Sequence, residues 1–108
     1  MAANLSRTTM DALEVLGLEI ARQRRVRGWM VTELAERTGV TRDTIRKIER
    51  GASTVAVGTV FEVAVLVGVP LLGVEDSDYS TLVARSRDRL ALLPARVRKP
   101  TTEPFDDF

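Results

Sequence analysis

The chain contains neither cysteine nor histidine. Without cysteine there are no disulfides and no thiolate metal sites. Without histidine, metal ligation falls to carboxylates alone and the usual general base is missing. These absences argue against a hydrolase or a metalloenzyme, and no nucleophile–base pair or phosphate-cradling glycine loop opens another route to catalysis. The expectation is a protein that is not an enzyme and carries no cofactor. No stretch reaches the roughly 18–20 apolar residues that span a bilayer. The one early basic residue, Arg7, is not followed by the apolar run of a signal peptide, so a cytoplasmic protein with no membrane partner is expected.

A chain of 108 residues suits one domain with appendages and a core of marginal size. Its composition is ordinary for a folded protein, and its net charge of +1 says little about partners. The distribution of charge says more. Residues 20–51 hold nine Arg/Lys (Arg22, Arg24, Arg25, Arg27, Arg37, Arg42, Arg46, Lys47, Arg50) against Glu33, Glu36, Asp43 and Glu49, a surplus of five positive charges. The remainder carries seven basic and eleven acidic residues. Such a block is either the footprint of a polyanion partner or a solvated, arginine-rich helix face.

Along the chain, residues 1–9 read as a flexible arm, with a helix starting near Thr8 or Thr9, where Thr8 and Asp11 resemble a capping box. Met10, Leu13, Leu16, Gly17 and Ile20 recur at helical spacing, Gly28 stops the helix, and Trp29 is expected to plug the core. A second helix over about 31–38 points Leu34 and Ala35 inward and ends at Gly39. Thr41 is a good N-cap for a third helix over about 42–50, whose buried pair is Ile45 and Ile48 and which Gly51 closes. Two short helices about a tight Gly39–Val40–Thr41 turn make a helix-turn-helix pattern.

The run over residues 55–69 is ambiguous. β-branched or aromatic residues at every second position read as a strand, while Val57, Val60, Phe61, Ala64 and Val67 fit a helical stripe. Three preceding helices need a fourth to close their core, which favours the helix. Val63, Val65 and Leu66 then fall off the stripe, as a candidate subunit interface or as peripheral packing. Leu71–Leu72 is expected to begin a short turn of helix. An amphipathic helix over 79–93 follows an acidic connector, with Tyr79, Leu82, Val83, Ser86, Leu90 and Leu93 on one side and Arg85, Arg87 and Arg89 on the other, before a disordered tail over 94–108. The domain proper is expected to span 10–73.

The third helix carries the chemistry. With Ile45 facing inward, a rotation of 100° per residue turns Asp43, Arg46, Lys47 and Arg50 outward, with Arg42 beside them. Arginine pairs bidentately with guanine, and lysine reaches guanine or phosphate. Asp43 either accepts from cytosine or orients a neighbouring cation. Thr41 and Thr44 suit phosphates at the positive end of the helix. The expected base contacts are Arg42, Asp43, Arg46 and Lys47, and the expected phosphate contacts Thr41, Thr44, Arg50, Arg25 and Arg27; the bland alternative is a solvated polar face. Glu49 is an acid stranded among cations. Either Arg24 on the first helix pairs with it, tying helices one and three, or it is merely exposed.

On these residues, 16–69 resemble the XRE/Cro-type repressor family: IARQRRVRGW (20–29), ELAERTGVTRDTIRKIERG (33–51) and FEVAVLVGVP (61–70) stand at that family's spacing. The resemblance implies an all-α, five-helix repressor-like bundle, here with an extra C-terminal helix and a flexible tail. It also implies binding of double-stranded DNA as a homodimer, at the bacterial nucleoid. The family usually opens its second helix with Ser/Thr-Gln, whose glutamine touches the DNA backbone; Met30-Val31 stands there instead. Its frequent proline before helix four is Val55 here. TVAVGTVFEVAVLVGVPLLG (54–73), RLALLPARVRKP (89–100) and the terminal FDDF look like HipB-type antitoxins. That likeness implies a repressor of its own operon that binds a HipA-like kinase toxin, with Phe105 and Phe108 either anchoring the partner or lying in an inert terminus. The rival readings are a stand-alone XRE-type regulator and a protein-interaction adaptor that has lost DNA binding.

Overall fold

The computed structural model describes residues 4–74 and 78–100. They form five helices: α1 (Arg7–Val26), α2 (Val31–Thr38), α3 (Arg42–Glu49), α4 (Val57–Val67) and α5 (Tyr79–Ala91). No strand occurs among the described residues, so the fold is all-α. The chain divides into two units, Met1–Asp76 and Ser77–Phe108, with α1–α4 in the first. Phe105 and Phe108 lie outside the described residues.

α1 begins one residue earlier than Thr8, because the cap is Ser6 rather than Thr8. The Ser6 hydroxyl accepts from the Thr9 backbone N–H at 3.1 Å, satisfying one of the otherwise orphaned donors of the first turn. At the other end the Gly28 N–H closes on the Arg25 carbonyl, and Trp29 on that of Arg24. Gly28 takes φ +73°, which L side chains rarely adopt, so the chain reverses there into α2.

Four helices surround one core. Ile20, Leu34, Ala35, Ile45, Ile48, Val60, Val63, Ala64, Val67 and Val69 are buried. α1 packs on α3 and α4, and α2 on the same two. α1 and α3 approach very closely: a Cβ added at Gly17 would stand 2.5 Å from the Ile48 carbonyl oxygen and 2.6 Å from that of Glu49. The apolar face that runs through Gly17 is therefore a track on which α3 rests backbone to backbone.

The valine-rich run is helical, and its buried residues recur at i, i+3, i+4 and i+7 as Val60, Val63, Ala64 and Val67. The stripe is turned from the one expected. Val63 is fully buried, whereas Val57 is 66% exposed and Phe61 half-buried. Val57 sits in the first turn, beyond the reach of the core, and its place is taken by Val63. Val65 and Leu66 do lie off the stripe. The expected turn of helix at Leu71–Leu72 is instead a tight reversal: Leu72 and Gly73 both have positive φ, and Val74 donates to the Leu71 carbonyl at 2.9 Å. Successive left-handed residues form a hairpin-type turn and cannot continue a helix. In the second unit, α5 has no buried residue.

Candidate nucleic-acid interface

α3 has only eight residues, too few for a stable helix in isolation. Three attachments hold it. Ile45 and Ile48 are buried in the core. The Thr41 hydroxyl accepts from the Thr44 N–H at 3.1 Å, capping the helix. The third is an ion pair with α1. Arg24 donates through Nε to Glu49 Oε2 at 2.7 Å and through Nη2 to Oε1 at 3.1 Å, a bidentate fork. Its remaining nitrogen, Nη1, donates to the Trp29 carbonyl at 2.8 Å. One guanidinium thus ties α1, the turn before α2 and the end of α3.

Both side chains of this pair are nearly withdrawn from solvent, at 9% and 13% exposure. Donation of its hydrogen bonds to Glu49 holds the Arg24 guanidinium above the ordinary arginine range; burial opposes this, and the carboxylate's charge adds to it. A raised pKa contributes stability that is fully present below the ordinary arginine value and lost only as pH rises through the folded one. Around neutrality the Arg24 charge is therefore constant.

The opposite face of α3 is turned outward. Arg42, Asp43 and Arg46 are exposed, and Lys47 half-exposed. Among the described residues Arg42 and Arg46 make no ion pair or side-chain hydrogen bond. Lys47 Nζ lies 3.3 Å from Asp43 Oδ2 one turn away. An exposed pair of this kind is worth only about 0.3–0.5 kcal/mol, so either group is readily surrendered to a better partner. The Thr41 and Thr44 hydroxyls are 2.8 Å apart. Only one of their two protons can lie between them, which leaves the other to donate outward.

Not every expected contact gathers there. Arg50 is the C-cap of α3, at its far end, and lines an open depression of about 440 Å³ together with Arg7, Asp11 and Glu14 of α1. Arg25 is exposed near the end of α1. Arg27 is engaged elsewhere. It donates to Gln23 Oε1 at 3.0 Å, its guanidinium lies 5.8 Å from the Trp29 ring centre, and it rests against Gly68, the C-cap of α4. Arg37 covers the same ring at 4.2 Å. Trp29 is accordingly less a plug than a half-buried plate packed against the core and carrying two cations.

Two hydroxyl residues escaped the sequence reading. A groove of about 410 Å³ beside α3 is lined on one side by Thr41, Thr44 and Lys47 and on the other by Thr54 and Thr59. The signal that could have found them is their polarity within an otherwise apolar run. Val31 packs against the core, and Met30 caps α2 with no side-chain hydrogen bond.

Residues 15–77 match a family model described as a helix-turn-helix domain. The chain belongs to that family. The match covers more than half of the protein and includes all of α2, α3 and α4. No curated protein matches the chain. As a helix-turn-helix protein it is a DNA-binding regulator, with α3 as the second helix of the motif, the one that enters a groove in proteins of this kind. Among the described residues no helix is long and apolar enough to cross a membrane, and no acidic group of metal-binding size occurs.

Proposed function

We propose that this protein is a sequence-specific transcriptional repressor that lays α3 in the major groove of duplex DNA. The observation that carries the reading is the division of α3 into a locked inner face and an outer face whose two arginines, Arg42 and Arg46, are exposed and unpaired. Arg42, Asp43, Arg46 and Lys47 read base edges; Thr41, Thr44, Arg50 and Arg25 grip phosphates. Arg27, exposed and resting beside Trp29 and Gly68, belongs to the same phosphate set. The protein acts as a homodimer on an inverted repeat. The test is selection of duplexes from a random pool by the full chain. The expected result is enrichment of two half-sites whose centres lie about one helical turn, 10–10.5 base pairs, or a multiple of it apart. A pool that stays random counts against the reading.

The finer proposal is an antitoxin that represses its own operon and binds a HipA-like kinase. Its support is the likeness of residues 54–73, 89–100 and 105–108 to that group. The check is purification of the tagged chain from its native cell. A kinase partner whose phosphoryl transfer falls when the chain is added supports it, and recovery of DNA alone favours a stand-alone regulator.

A further inference from the structure

The second unit holds six cations that take no part in the α3 reading. Arg85, Arg87 and Arg89 on α5, and Arg96, Arg98 and Lys99 behind Pro94, are all exposed. None makes an ion pair or a side-chain hydrogen bond among the described residues. Asp88 is the lone acid among residues 85–99, which leaves five net positive charges in fifteen residues. The basic block of the first unit needs 32 residues, 20–51, for the same surplus. Nor do these cations serve the fold. Arg24 shows what a structural arginine looks like in this protein, buried and bonded on three nitrogens. No residue of α5 is buried, and residues 94–100 have no helix or strand.

Five of the six are arginines, whose planar donor fork matches phosphate oxygens better than an ammonium does. Pro94 and Pro100 bracket Arg96, Arg98 and Lys99 in a stretch outside the helix. Such a stretch can follow a repeating backbone of phosphates without breaking regular structure.

We propose that residues 85–99 form a second polyanion-binding element that grips the phosphate backbone of duplex DNA while α3 reads the bases. This rests on the reading of α3 as the recognition helix. α5 begins ten residues after Val69, the last residue of the first unit that is buried among the described residues. A separation that short in sequence keeps the cations near the duplex once α3 is seated, so individually weak contacts add measurably. Phosphate contacts carry no sequence information, so the element raises affinity and salt sensitivity and leaves base discrimination alone. Arginines flanking the apolar side of α5 would also suit an anionic lipid surface. Duplex DNA is favoured because half of the cations lie beyond the helix, where no amphipathic face continues.

The experiment titrates full-length protein against a random-sequence duplex of about 25 base pairs across a fourfold salt range, about 50 to 200 mM. Wild type is compared with a chain carrying R96Q, R98Q and K99Q. At about 0.9 per contact, losing three contacts lowers the log–log salt slope by about 2.7. Wild type then loses about 40-fold more affinity than the variant across that range. A chain carrying R85Q, R87Q and R89Q moves the slope in the same direction, and both variants melt as wild type does. An unchanged slope, with wild type still binding, overturns the proposal and leaves the α3 reading intact. Failure of wild type to bind any duplex overturns both. Binding of wild type to phosphatidylserine vesicles that the variant loses, with the DNA slope unchanged, overturns it in favour of a membrane surface.

Discussion

α3 and α5 are both arginine-rich helices, of eight and thirteen residues. The shorter one is the better fixed. α3 has two buried isoleucines, a side-chain cap and a bidentate ion pair; α5 has no buried residue and no side-chain cap. The difference teaches that tertiary attachment, not helix length, fixes where side chains point in this protein, and that only an attached helix can hold arginines in register with base edges.

That comparison breaks most readily at Arg24. Replacing it with alanine strands the Glu49 carboxylate and frees the Trp29 carbonyl, and Arg24→Ala is expected to cost about 3–5 kcal/mol in denaturant unfolding. A loss of that size approaches the whole stability of a small domain. Gly17→Ala comes next. Its methyl group would collide with two α3 carbonyls, and overpacking of this kind costs about 1–3 kcal/mol, read as a lower melting temperature. Thr41→Ala removes the cap of α3 and is expected to cost about 1 kcal/mol by the same measurement. The smallest effect sharpens the contrast from the other side. Leu90 on α5 is 70% exposed, so Leu90→Ala should leave unfolding within about 0.5 kcal/mol of wild type. A larger loss would mean that α5 is packed against something.

How much of this was legible in the sequence depends on how each residue is held. The inner and outer faces of α3 follow from two isoleucines three residues apart among charges, because that contrast marks the rotation of the helix. That an acid stranded among cations needs a counter-charge follows from electrostatics alone; which cation supplies it depends on α1 crossing α3 at Gly17. The run over residues 55–69 has only Thr59 and Glu62 to break its apolar character, too little to tell Val63 from Val57, and packing on α1 and α2 turns Val63 inward. Leu72 gave no sign of its left-handed backbone, since leucine seldom adopts it. Thr54 and Thr59 line a groove with α3, and Arg27 meets Gly68, only once the four helices are assembled.

The most direct test replaces Arg46, which is exposed, unpaired and absent from the core. Unfolding and binding of Arg46→Ala to the selected duplex are measured on the same preparation. The expected result is stability within about 0.5 kcal/mol of wild type, with about 1–3 kcal/mol of binding lost and discrimination relaxed at one base position. Undiminished affinity with discrimination intact would contradict the assignment of α3 as the helix that reads DNA.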